Sequence, residues 1–78
     1  MLKFTLIDAA QTNRKYRYYP EGGAVYGIVS FEEGTGEAEI VKLAENDQHG
    51  IYAAKMFSRL RKMARTGEYE KTGMIAWY

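Results

Sequence analysis

Asn46-Asp47-Gln48-His49-Gly50-Ile51-Tyr52-Ala53-Ala54-Lys55-Met56-Phe57-Ser58-Arg59-Leu60-Arg61-Lys62-Met63-Ala64-Arg65-Thr66-Gly67 is the stretch on which the fold turns. Ala53, Met56, Phe57, Leu60, Met63 and Ala64 recur at helical spacing and form one apolar stripe, with Tyr52 on its flank. Asn46 or Asp47 can cap this helix, because either side chain accepts from the orphan amides of a first turn. Gly67 stands where a left-handed residue ends a helix without steric cost.

Outside that stretch the pattern has a period of two. Leu2, Phe4 and Leu6 alternate with Lys3 and Thr5, and Asp8 ends the run. Ala9 to Asn13 reads as a polar connection. In the second strand, Arg14 to Tyr19, Tyr16 and Tyr18 share one face while Lys15, Arg17 and Tyr19 share the other. Pro20-Glu21-Gly22-Gly23 is a turn, since proline fixes φ and glycine accepts positive φ. Ala24 to Phe31 reads as the third strand, with Gly27 marking a bulge or a close backbone approach. After the Glu32-Glu33-Gly34-Thr35-Gly36 turn comes a fourth strand, Glu37 to Leu43. Its alternation slips a register near Val41, the mark of a bulge or of two partly covered faces. A last strand is expected from about Tyr69 to Tyr78, with Met74, Ala76 and Tyr78 on one side and Ile75 and Trp77 on the other. The order predicts an α+β fold, ββββαβ: an antiparallel sheet with one amphipathic helix packed across one face. Whether the strand after the helix pairs at an edge or inserts centrally stays open.

Composition bounds the function classes. The 78 residues make one domain, 1–78, with a thin core. No cysteine is present, which favours a reducing compartment for so small a domain, and the cytoplasm is the expected location. The opening residues are too short an apolar run for a signal peptide. No stretch approaches the roughly 20 apolar residues that span a bilayer, so no membrane partner is expected.

No catalytic or metal-binding set emerges. His49 is the only histidine, and without cysteine no His–His or Cys–His ligand set exists. Ser30 and Ser58 have no base near them in sequence. Glu37 and Glu39 share a strand face, an arrangement that suits a hard cation but more often is the solvated face of an edge strand. Gly34-Thr35-Gly36 lacks the Lys-Ser/Thr of a phosphate loop. Neither an enzyme nor a cofactor is expected.

Charge and tyrosine are more telling. Lys55, Arg59, Arg61, Lys62 and Arg65 fall on the helix face away from Leu60, with no acid among them, and Arg14, Lys15 and Arg17 add a second basic cluster. Such a face can grip phosphates, with Tyr16, Tyr18 or Tyr19 available for stacking. It also offsets the helix dipole as an ordinary solvated face does, and a net charge of +1 argues against a dedicated nucleic-acid binder. The chain has seven tyrosines, a residue enriched where proteins meet proteins. Tyr16 or Tyr19, Tyr26, and Trp77 or Tyr78 are the candidates for an aromatic patch on the open sheet face.

The tyrosine-rich strand running into Tyr19-Pro20-Glu21-Gly22, the glycine-containing hairpin, the helix with Ala53 and a Lys/Arg face, and the closing Ala76-Trp77-Tyr78 together carry a resemblance. The chain resembles a group of short uncharacterised proteins of Gram-positive bacteria and their prophages. The resemblance transfers no site residue. It implies a context: small accessory proteins of mobile elements that bind something in the host. The leading expectation is a non-catalytic binding module acting through protein–protein contacts. The alternatives are a nucleic-acid-binding accessory protein that uses the helix cations, and a homodimer joined through the open face or an edge strand.

Overall fold

The computed structural model describes residues 1–76. Its elements follow the expected order: β1 (Leu2–Ala10), β2 (Asn13–Pro20), β3 (Gly27–Glu32), β4 (Glu37–Lys42), α1 (Ile51–Thr66) and β5 (Thr72–Ile75). The strands form one antiparallel sheet in the order β4-β3-β2-β1-β5. The first four strands are a meander, as the short turns require. After α1 the chain returns to the far side, and β5 pairs with β1 at the sheet edge, with Leu2 opposite Ile75 and Thr5 opposite Thr72.

Alternation sorts the side chains. Leu2 and Phe4, Tyr16 and Tyr18, and Val29 and Phe31 turn to one face, where they meet Ala53, Met56, Leu60 and Met63 of α1. Burying each of the larger side chains contributes about 1.5–3 kcal/mol, so this single layer supplies most of the drive to fold. Phe4 and Tyr16 pack edge to face with ring centroids 5.7 Å apart.

The glycines and the bulge have physical causes. A Cβ at Gly27 would lie 2.3 Å from Tyr18 Cε1 and 2.6 Å from the Lys42 carbonyl oxygen, so this is the close approach the sequence suggests. The β3–β4 register shifts between Ile28 and Val29, whose partners are Lys42 and Ile40, which leaves Val41 as the extra residue. At the end of α1, Gly67 adopts φ 75° and its amide donates to the Met63 carbonyl at 2.8 Å.

Several boundaries differ from expectation. Asp8 does not end β1: the strand bulges between Leu6 and Asp8 and continues to Ala10, and Gln11-Thr12 closes the hairpin with Gln11 at φ 53°. The bulge moves Asp8 opposite Lys15, so residues 8–10 pair instead of looping. Ala24 to Tyr26 precede β3, and β5 is four residues long, without Tyr69. Ala64 is exposed rather than part of the buried stripe. The helix begins after Gly50, at φ 69°, and not at Asn46 or Asp47. Asp47 nonetheless serves the first turn from a distance: its Oδ1 accepts from the Tyr52 amide and its Oδ2 from the Ala53 amide, each at 3.0 Å.

Candidate functional site

With α1 on one face, the other face of the sheet is open among the described residues, and strand pairing dictates what it presents. Lys3 stands opposite Tyr19 and Met74, Thr5 opposite Arg17 and Thr72, Arg17 opposite Ile28, and Ile28 opposite Lys42. The half of the face nearer the Pro20 turn is therefore basic and aromatic. Tyr26, just before β3, folds over it. Its ring lies 5.7 Å from that of Tyr19, tilted by 56°. The Arg17 guanidinium sits 4.6 Å from the Tyr26 centroid and Lys42 Nζ 4.7 Å from it, so one ring is shared by two cations. The Nε of Arg17 is sealed from solvent with no hydrogen-bond partner among the described residues. A shallow hollow continues beside this cluster, lined by Lys3, Thr5, Tyr19, Gly23, Thr72 and Met74. Met74 is 50% exposed.

The other half of the face is acidic. Glu32, Glu37 and Glu39 gather with Asn13 and Ser30 around a small polar hollow, and Asp8 stands opposite Lys15. Thr12 donates from its hydroxyl to Glu32, and this bond holds the Glu32 carboxyl below the usual carboxylate range. Among the described residues no group of three or more His, Asp or Glu is arranged to hold a metal ion.

The structure redistributes the sequence candidates. Tyr16 does not belong to an exposed patch: it is fully buried, donating to the Glu70 carbonyl at 2.7 Å. Tyr18, considered for base stacking, is fully buried as well. Tyr19 and Tyr26 are the members brought together, and Trp77 and Tyr78 lie outside the described residues. The basic cluster of β2 divides. Lys15 and Arg17 face the open side, whereas Arg14 turns to the helix side, ion-paired to Glu33 and 3.7 Å from the centroid of the Tyr69 ring.

Arg59 also departs from expectation. It sits on the flank of α1, with Nε 2.8 Å from Glu70 Oε1 and Nη2 3.0 Å from Oε2. This bidentate pair raises the Arg59 pKa and lowers that of Glu70. Lys55, Arg61, Lys62 and Arg65 are exposed. Sequence reasoning missed Lys3, Lys42, Ile28 and Met74 as companions of Tyr19 and Tyr26. Only the strand order and the bulge at Val41 bring them to one place.

The β4 edge of the sheet carries some protection. β4 holds Glu37, Glu39 and Lys42 and the Val41 bulge, features that discourage strand-to-strand association. No helix among the described residues is long and apolar enough to cross a membrane. Compared with family models, curated proteins and solved structures, the chain matches none.

Proposed function

We propose that this chain is a non-catalytic binding module of phage or prophage origin that works in the cytoplasm and acts on a host or phage protein through the open face of its sheet. The observation that carries this reading is the Tyr19–Tyr26 pair, flanked by Arg17 and Lys42 on a face that no element among the described residues covers. Protein interfaces concentrate aromatic rings and arginine around a small apolar centre with a polar rim. Here Ile28 and Met74 supply apolar surface, while Lys3, Lys15 and the carboxylates of Glu37 and Glu39 form a charged surround. Tyr26 enters the interface already held by its two cation contacts and by its packing on Tyr19, which lowers the entropy lost on binding.

The reading is tested by affinity enrichment from a Gram-positive host lysate with the parent chain and with a Tyr19→Ser, Tyr26→Ser variant. The expected result is a specific protein recovered by the parent and lost with the variant, while far-ultraviolet circular dichroism shows both folded. Equal recovery by the two chains would remove the open face as the contact surface.

A further inference from the structure

The outward face of α1 is a second surface, separated from the open sheet face by the thickness of the domain. We infer that it binds the phosphate backbone of duplex nucleic acid without reading its sequence. Between Ile51 and Thr66 the helix contains five cations and no Asp or Glu. Arg59 is engaged by Glu70. The inference therefore rests on Arg61, Lys62 and Arg65, all exposed, and Lys55, exposed as well, extends their row. At about 100° per residue these four fall within an arc of about 120° opposite the buried stripe. They span about 15 Å of helix axis, a length over which duplex DNA presents roughly nine negative charges.

What the face lacks identifies the partner. A protein interface needs an apolar or aromatic centre from which water is excluded. From Ala54 to Arg65 the outward positions hold lysine, arginine, serine and alanine only; Ile51, exposed at the helix start, is the one large apolar side chain on that side. A polyanion held through its charges needs no such centre, because released counterions drive the binding. The nearest rings, Tyr52 and Phe57, are half-buried on the helix flanks and packed against the core, so neither stands among the outward cations to stack an unpaired base, which favours a duplex over a single strand. Ser58 adds a hydroxyl donor to the same cleft, lined by Lys55, Ser58, Arg59, Lys62, Arg65 and Ile75. The near-zero net charge speaks against a dedicated, strongly basic binder, but salt confines each charge's influence to about 8 Å under physiological conditions, so the local cations of this face decide contact at short range.

The experiment is fluorescence anisotropy of a labelled DNA duplex against the full chain across a salt series. Binding is expected to weaken with a log–log slope of about −2.7 to −3.6, or ~0.9 for each of three or four neutralised phosphates. A Lys62→Glu, Arg65→Glu variant should bind more than about a hundredfold more weakly near ~50 mM salt, since each lost phosphate contact removes roughly 15-fold there. The neutral Lys62→Gln, Arg65→Gln variant provides the same comparison should charge reversal disturb the fold. The Tyr19→Ser, Tyr26→Ser variant should bind the duplex as the parent does. Absence of binding at low salt, equal binding by the Gln variant, tighter binding of a single strand, or equally effective displacement by polyglutamate would each overturn the inference.

Discussion

The Tyr18 hydroxyl donates to Oδ2 of Asp47 at 3.3 Å, and that carboxylate also receives the first-turn amides of α1. The same hydroxyl accepts from the Ala44 amide at 3.1 Å. One buried phenol and one buried carboxylate thus fasten the centre of the sheet to the segment that enters the helix. The arrangement replaces a local N-cap: Gly50 has no side chain to offer, and Asp47 reaches over from outside the helix.

Removing Asp47 should therefore cost more than an ordinary cap. Asp47→Ala leaves two helix amides and the Tyr18 hydroxyl without their acceptor, a loss of about 3 kcal/mol. Asp47→Asn keeps one acceptor oxygen and should lose about half as much, and Tyr18→Phe should lose about 1–3 kcal/mol. Urea unfolding followed by circular dichroism gives the ranking. A midpoint for Asp47→Ala no lower than that of the exposed control Glu45→Ala would refute the role given to the carboxylate.

Gly27 is fixed by space and not by backbone conformation. A Cβ there meets Tyr18 Cε1 and Cζ at 2.3 and 2.5 Å, atoms of a fully buried ring that cannot swing aside. Gly27→Ala should destabilise by at least about 3 kcal/mol, at the upper end of overpacking effects. Gly34→Ala, whose Cβ would approach only Glu32 Oε2 at 3.7 Å, should stay within about 0.5 kcal/mol of the parent. Equal unfolding midpoints for the two variants would show that the Tyr18 ring moves more freely than its burial implies.

Much of this fold could be read from local pattern, because period and turn chemistry are local. The stripe from Ala53 to Met63 identifies the helix, and the slipped alternation at Val41 allows a bulge or two partly covered faces, of which the β3–β4 register contains the bulge. The rest depends on contacts between residues far apart in the chain. A period of two separates Tyr16 from Tyr19 but does not say which face the helix will cover, so the pattern leaves either one as a candidate for the open face, and only the helix contacts assign Tyr16 to the core. Arg59 looked solvated because Glu70, its partner, arrives only after the chain reverses at Gly67. Lys3 and Lys42 joined Tyr19 and Tyr26 through strand pairing, for which the sequence carries no one-residue signal.

The Arg59–Glu70 pair ties α1 to the segment leading into β5, and it should make the protein sensitive to acid. Its hydrogen bonds to Arg59 hold the Glu70 carboxyl below its ordinary value. A depressed carboxyl contributes stability above the unfolded-state pKa of about 4.3, and that contribution is lost as pH falls through the folded value. The Glu70 side chain is 39% exposed, so solvent screening limits the pair to about 1 kcal/mol. Arg59→Gln should lower stability by that amount near about pH 7, and the gap from the parent should close below about pH 4. A gap that persists undiminished in acid would assign the loss to the packing of Arg59 over the Phe4 ring, 5.7 Å from its centroid, rather than to charge.

Alkaline pH should strain the molecule through Tyr16. Burial pushes its phenol from 10.0 up to about 12, and burial raises Tyr18 as well. A phenol that is harder to ionise when folded contributes stability fully present below the unfolded pKa. That contribution is lost as pH rises toward the folded value, because the unfolded chain releases its proton first. Stability should accordingly fall between about pH 10 and about pH 12. Tyr16→Phe should weaken this alkaline loss without abolishing it, since Tyr18 remains. At neutral pH the same variant should be less stable by about 1–2 kcal/mol, because the Glu70 carbonyl loses the hydroxyl that donates to it. Ultraviolet titration of the phenolates alongside urea midpoints measures both effects. Were all seven tyrosines to ionise together near pH 10 in the folded chain, Tyr16 would not be held between sheet and helix as described.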